Sequence, residues 1–224
     1  DHRDKPLMNK ALTGLYPPGS TIKTIVALSA LENDVASTSL KVRCKGVIEL
    51  YGEKFHCWKK KGHGYMDMRT AIQRSCDVYF YEIAKRLGVD RLSETAKKFG
   101  LGQKVLPGFS EEKVGVVPNT KWKKKFIGQN WYLGETLHSG IGQGYYLSSP
   151  MQLCLMTAQI ANGGYQIKPR IILDPNKKQN NLKQYIDYKN NNPNDPLPTD
   201  LLVSNFDLNP LFRNQENINF IKDA

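Results

Sequence analysis

The sequence has no uninterrupted apolar run long enough for a membrane span, no signal-peptide pattern, no internal repeat and no Cys-x2-Cys knuckle. These absences leave a globular reading, with nothing in the chain that targets or anchors it. Acidic residues are scarce: 21 Asp and Glu face 32 Lys and Arg, a formal net charge of +11. Such an excess raises a nucleic-acid reading, because clustered lysines can meet phosphates. The runs Lys59-Lys60-Lys61 and 121–125 come with Trp58, Trp122, Phe126 and Trp131, which could stack on bases. No recognition motif accompanies them, so they read as solvated lysines, or as an attraction for an anionic membrane surface, without a nucleic-acid partner. Gly140-Ile141-Gly142-Gln143-Gly144 lacks the Gly-Lys-[Ser/Thr] ending of a phosphate loop and reads as a close-packed wall where glycines admit backbone.

Forty per cent of the 224 residues are hydrophobic, enough for one sizeable domain or a domain and a half. Apolar periodicity and stop signals predict helices over 20–31, 68–74, 78–87, 91–99 and 151–161, the last opened by Pro150 and ended by Asn162-Gly163-Gly164. Residues 40–61 read as a loop with short extended pieces around Gly46 and Gly52, residues 101–135 as irregular, and 167–173 as a strand. Beyond it, 174–210 is dominated by Asn, Lys, Asp and Pro and reads as a flexible insertion. Two stretches result, 1–173 carrying the motifs and 174–224 as the insertion and its continuation.

The most informative residues are Ser20 and Lys23, in Pro17-Pro18-Gly19-Ser20-Thr21-Ile22-Lys23. Positions i and i+3 share a helical face, so the Lys23 amine is expected to hydrogen-bond the Ser20 hydroxyl. A serine attacks a carbonyl poorly until its proton is taken, and a lysine can take it only when neutral, a state that burial in the apolar helix would favour. The helix N-terminus adds a positive end where negative charge develops. The alternative is an ordinary N-capping serine beside a solvated lysine.

Further along, Arg74-Ser75-Cys76-Asp77 sets a second Ser two positions before an Asp, and Leu137-His138-Ser139-Gly140-Ile141-Gly142-Gln143-Gly144-Tyr145-Tyr146 is followed by Ser148-Ser149-Pro150. With Gly62-His63-Gly64, these motifs resemble the transpeptidase domain of class B penicillin-binding proteins, most closely the elongation-specific penicillin-binding protein 2 branch. The resemblance implies an α+β fold whose part present here is mainly helical with few strands, and a serine D,D-transpeptidase activity on peptidoglycan stem peptides. It implies Ser20 as acylated nucleophile, Lys23 as its base, Ser75 as a proton relay and Asp77 as an orienting group. Asp77 stands where Asn is commoner, and its charge can hold Lys23 protonated. It implies β-lactam binding, a periplasmic domain of an inner-membrane protein, and partners in a membrane glycosyltransferase and scaffold proteins of the elongation machinery. Rival readings are a serine β-lactamase, a non-catalytic penicillin sensor, or an inactive zinc-stapled fragment. The family's Lys-[Ser/Thr]-Gly strand does not follow Ile171 and is expected beyond Ala224. His138-Ser139-Gly140 lies inside the glycine-rich stretch and is read as a decoy for it.

Cys44, Cys57, His63 and Cys76 form a C-x12-C-x5-H-x12-C series, a full tetrahedral donor set for a structural zinc ion. A Cys44–Cys57 disulfide, with His63 as a loop residue and Cys76 as a small buried side chain, is the competing arrangement in an oxidising compartment, and unrelated thiols are the third. Cys154, in an apolar helix, is expected to pack in the core.

Overall fold

A computed structural model describes residues 7–106, 108–169, 188, 191–192 and 206–224, the side chains of 206–209 excepted. A short helix α1 (Lys10–Thr13) is followed by a 3-10 turn over Gly19–Ile22 that runs directly into α2 (Lys23–Glu32). In α2, Ile25, Val26, Ala27, Leu28 and Ala30 are all fully buried. A helix that is apolar on every side belongs in the middle of a protein. Around it lie α4 (Asp77–Leu87), α5 (Val89–Lys98) and the C-terminal helix α9 (Gln215–Asp223). Helix α4 is stopped by Gly88, whose φ of +80° other residues resist.

Helix α3 (Met68–Gln73) precedes α4 and begins with a reciprocal capping box between Asp67 and Thr70. Helix α7 (Leu133–Gly140) lies against α4 at a very close approach: a Cβ on Gly140 would sit 2.4 Å from that of Ala84. Helix α8 (Pro150–Ala161) opens with the Ser149–Gln152 capping box and Pro150 in its first turn. Among the described residues the strands form three two-stranded antiparallel pairs: β1 (Val42–Cys44) with β4 (Gly64–Met66), β2 (Val47–Leu50) with β3 (Glu53–His56), and β5 (Tyr165–Ile167) with β6 (Phe206–Pro210). The outcome is the expected helix-rich α+β arrangement, with the short extended pieces of 40–61 realised as hairpin strands. Among the described residues, no helix is long and apolar enough to cross a membrane.

Four expectations need correction. The predicted helix over 20–31 starts as the 3-10 turn, with Ser20 inside that turn and Lys23 as the first α-helical residue. The stretch 101–135 holds helix α6 (Thr120–Phe126) and the start of α7. Three lysines in a row hide α6 from an apolar-periodicity reading; it forms because Asn119 caps the Trp122 N–H and buried Lys123 meets Glu135 of α7 at 2.5 Å. The strand expected over 167–173 is found at Tyr165–Ile167, and 170–173 lie outside the described residues. Cys154 is exposed, on the outer face of α8.

Most of the insertion also lies outside the described residues. The continuation after 210 is packed: Ile218 and Ile221 of α9 are buried, and Glu32 at the end of α2 accepts hydrogen bonds from Arg213 N, Asn214 N and Asn217 Nδ2.

The turn that carries Ser20 is braced from behind. Gly19 N donates to Gly142 O at 2.9 Å, Gly142 has φ +70°, and a Cβ there would stand 2.2 Å from Gly19 O. Gly142→Ala therefore brings both backbone strain and a backbone clash, and is expected to cost about 2 kcal/mol or more, a drop in thermal midpoint of roughly 4–8 °C. An unchanged midpoint in a melting experiment would show that the wall yields freely.

Candidate active site

Ser20 is exposed at the mouth of its turn, whereas Lys23, one turn on, is only 2% exposed. The Lys23 amine does not reach Ser20 directly, contrary to the i, i+3 expectation. Its Nζ donates instead to three acceptors around the start of α4: Asp77 Oδ1 at 2.6 Å, Ser75 Oγ at 2.9 Å and Ser75 O at 2.9 Å. Ser75 Oγ then donates to Ser20 Oγ at 2.9 Å. The four predicted residues are thus brought together, but as a chain Ser20–Ser75–Lys23–Asp77. The Phe80 ring lies 5.6 Å from Nζ and closes the amine off from below. The buried amine, expected among apolar neighbours alone, is paired with a carboxylate.

Ser75 owes its position to an unfavourable backbone. Its φ is +49°, a left-handed conformation that non-glycine residues adopt at a cost of about 1–3 kcal/mol. The turn is held by Trp58, whose indole Nε1–H donates to both Arg74 O and Ser75 O at 3.1 Å. The backbone N–H of Trp58 donates to Asp77 Oδ2 at 2.9 Å. Trp58 therefore grips both ends of Ser75-Cys76-Asp77. Its aromatic character was visible in the sequence; its targets, a backbone carbonyl pair and a carboxylate, carry no sequence signal.

The remaining sequence-predicted residues converge behind this grip. Cys44 ends β1, Cys57 follows β3, His63 sits between Gly62 and Gly64, and Cys76 caps α4. Their ligand atoms all lie within 4.8 Å of one another. His63 Nδ1 is 3.6 Å from Cys44 Sγ and 3.5 Å from Cys57 Sγ. A tetrahedral zinc ion with Zn–S near 2.3 Å and Zn–N near 2.05 Å has S···N edges of roughly 3.6 Å, so the donor set fits that ion. All four cysteines are free, so the Cys44–Cys57 disulfide is not formed. Desolvation pushes the Cys76 thiol well up and, with Lys59 and Arg74 nearby, holds His63 below its usual range. A neutral imidazole is ready to bind metal, while the Cys76 thiol needs a cation's charge to ionise. The backbone is laced tightly here: Cys57 N donates to Gly46 O at 2.8 Å, and a Cβ on Gly46 would stand 2.1 Å from Lys60 O.

His138-Ser139-Gly140 forms the last turn of α7, with Ser139 Oγ donating to Glu135 O, and lies on no strand.

The family profile for the penicillin binding protein transpeptidase domain matches residues 1–195. The peptidoglycan D,D-transpeptidase MrdA of Acinetobacter baumannii is 39% identical over 174 residues, which cover 77% of this chain and 26% of that protein. A crystal structure of Pseudomonas aeruginosa PBP2 in complex with WCK 5153 is similar at a TM-score of 0.78 and 37% identity, covering 99% of this chain and 44% of that one. PBP2 of Helicobacter pylori, solved in complex with MreC, gives a TM-score of 0.71 at 38% identity, over 77% of this chain and 32% of that one. The chain thus spans about a quarter of the length of the curated relatives it matches. On these matches, and with its serine, lysine and aspartate gathered as described, the chain belongs to the penicillin-binding protein transpeptidase domain family, on the PBP2/MrdA branch.

Proposed function

We propose that this chain carries the acylating centre of a serine D,D-transpeptidase that cross-links peptidoglycan during elongation. The observation that carries the reading is the unbroken hydrogen-bond chain from Ser20 through Ser75 to the buried Lys23–Asp77 pair. In the first half-reaction Ser20 Oγ attacks the carbonyl of the penultimate D-alanine of a donor stem peptide. Its proton passes to Ser75 Oγ, and the Ser75 proton passes to Lys23 Nζ once Lys23 has handed one to Asp77 Oδ1 across 2.6 Å. Rotation of the Ser75 hydroxyl toward Lys23 opens this inward path, and its resting direction, Lys23 to Ser75 to the cleft, delivers a proton to the departing D-alanine nitrogen. The Ser20 N–H at the start of the turn supplies one donor to the oxyanion.

The family resemblance assigns the donor carboxylate and the second oxyanion donor to the Lys-[Ser/Thr]-Gly strand, with 1–173 bearing the first two motifs and 174–224 leading toward the third. The same reading makes the chain part of a periplasmic domain of an inner-membrane protein, acting beside a glycosyltransferase and scaffold proteins. The solved PBP2–MreC complex of the H. pylori relative supports the scaffold partner.

We further propose that Cys44, Cys57, His63 and Cys76 hold a structural zinc ion. Bound there, zinc ionises the thiols and cross-links β1, the β3–β4 connection and the start of α4. Metal analysis after dialysis is expected to find about one zinc ion per chain, lost in Cys57→Ser together with thermal stability. Two missing thiols in a denatured thiol count would instead establish a disulfide.

In a version of the chain extended through a Lys-[Ser/Thr]-Gly strand, benzylpenicillin is expected to add its mass once, and not to Ser20→Ala. An unchanged mass in the unmutated protein would remove Ser20 as nucleophile, and rapid release of hydrolysed drug would mark a β-lactamase. Trp58→Phe keeps the ring but deletes the indole donor, and is expected to slow acylation about tenfold, or 1.4 kcal/mol. Full-rate acylation would mean that Ser75 holds its turn unaided.

A further inference from the structure

Away from the relay, the tip of the β2–β3 hairpin and the start of α7 enclose an open cavity of about 460 Å³. The hairpin turns through two residues, Tyr51 and Gly52, at φ +52° and +83°, between the paired Leu50 and Glu53. A two-residue turn with positive φ at both positions is the place for Asn-Gly, and a bulky residue at its first position is strained. Tyr51 gains nothing inside the chain in return: it is 87% exposed, and its side chain makes no hydrogen bond or ring contact with any described residue. Across the cavity stands Tyr132, 63% exposed. Buried Phe55 sets the gap between the two walls, its ring lying 5.3 Å from that of His138, while a Cβ on Gly134 would stand 3.4 Å from Phe55 Cζ.

The charges select the class of ligand. Glu135 is already paired with Lys123 and also accepts from Tyr145 OH and Tyr132 N. The same ammonium lies 4.5 Å from the centre of the Tyr132 ring, so a second cation there would be repelled. No lining residue is Lys or Arg, so nothing holds an anion either. Glu53 is the one lining carboxylate without an ion-pair partner among the described residues. What remains is two exposed phenol rings, a floor of Leu50 and Leu133, and a rim formed by the Glu53 carboxylate and the exposed His138 imidazole. Flat rings that pack against C–H faces, with hydrogen-bonding groups at their edges, suit a neutral, hydroxylated ligand such as a sugar.

We propose that this cavity is a docking site for the glycan strand that bears the stem peptides, with one amino-sugar ring seated between Tyr51 and Tyr132. The choice of a cell-wall sugar rests on the transpeptidase reading and deepens it. Helix α7 connects the two sites: its eight residues span about 12 Å from the cavity to Gly140, and Gly142, just beyond, braces the turn of Ser20. A stem peptide of about five residues, at 3.3–3.6 Å each, reaches roughly 17 Å, so its end can lie at Ser20 while its sugar occupies the cavity. Attachment at two points makes the arrival of the peptide at Ser20 intramolecular, which raises its effective concentration without any new contact in the cleft.

The test uses the 224-residue chain and tri-N-acetylchitotriose, a neutral amino-sugar chain without peptide, with a lysine-rich peptide as the probe for a protein partner. The backbone amide resonances of Gly52 and Gly134 report on the cavity, and the indole N–H of Trp58 on the relay side. Chitotriose is expected to shift both glycine amides and not the indole, with a Kd of about 1 mM that salt leaves unchanged. Tyr51→Asn is expected to raise the thermal midpoint by about 2–4 °C, because the turn relaxes, and to weaken chitotriose about fivefold or more. Tyr51→Phe keeps the affinity within about twofold, as does Tyr65→Ser, at an exposed tyrosine outside the cavity. Unmoved glycine amides, a shift of the indole alone, a midpoint that falls in Tyr51→Asn, an affinity that survives it, or tighter binding of the lysine-rich peptide would each overturn the assignment. Penicillin acylation of Ser20 is read separately by mass in the extended chain. Its failure with chitotriose bound sinks the transpeptidase reading and leaves a sugar site, whereas intact acylation without sugar binding sinks only the docking site.

Discussion

The Lys23 ammonium is the point on which the site turns. It joins the first residue of α2 to Ser75 and Asp77, 52 and 54 residues further along the chain. The pair is shielded, with side-chain exposures of 3% and 13%, so neither charge can be left alone cheaply. Removing one partner of such a pair costs about 3–5 kcal/mol, most of it the penalty for the charge that remains. The same contact that makes the chemistry conceivable therefore also fixes how the helix carrying Ser20 and the helix carrying Asp77 meet.

Two further clamps bear on that meeting. Behind Ser20, the Gly19–Gly142 approach removes all room for a side chain and sets the turn against the wall at the end of α7. Behind Ser75, the Trp58 indole donates to the carbonyl of a backbone at φ +49°, with the Cys44–Cys57–His63–Cys76 cluster alongside. The two serines thus belong to separately braced segments, and the 2.9 Å hydrogen bond between them is the product of both braces. Positioning of this kind lowers the entropic part of a barrier without any group touching the reacting atoms.

Legibility from sequence followed the range of the interaction involved. Helices α2, α4 and α8 were readable because their apolar runs, Gly88 and the Ser149-Pro150 start are local signals. Helix α6 was not, since its sequence is basic and its one buried lysine is explained only by Glu135, twelve residues on. The cysteines and His63 were readable as a donor set by residue type alone. Helical geometry put Lys23 near Ser20 but could not say that acceptors on Ser75 and Asp77 would take its amine instead, and the 3-10 turn at Ser20 depends on a glycine more than a hundred positions away. Trp58 was legible only as an aromatic residue, because hydrogen bonds to backbone carbonyls leave no trace in the partner's identity.

The geometry also accounts for aspartate at position 77. Both carboxylate oxygens are used as acceptors: Oδ1 for Lys23 Nζ and Oδ2 for the Trp58 N–H. An asparagine in the same pose offers one acceptor and one donor. If its oxygen served Lys23, its NH2 would face the Trp58 N–H, donor against donor; if it were flipped, the NH2 would face the ammonium. Either choice leaves one of the two clamps on this segment broken. The Trp58 backbone follows directly after Cys57, so the demand for a second acceptor at position 77 comes from the cluster side of the site. In this chain the carboxylate is thus what couples the cysteine–histidine cluster to the amine, and the ion pair with Lys23 and the grip of Trp58 on the strained serine's segment are made by the same two oxygens.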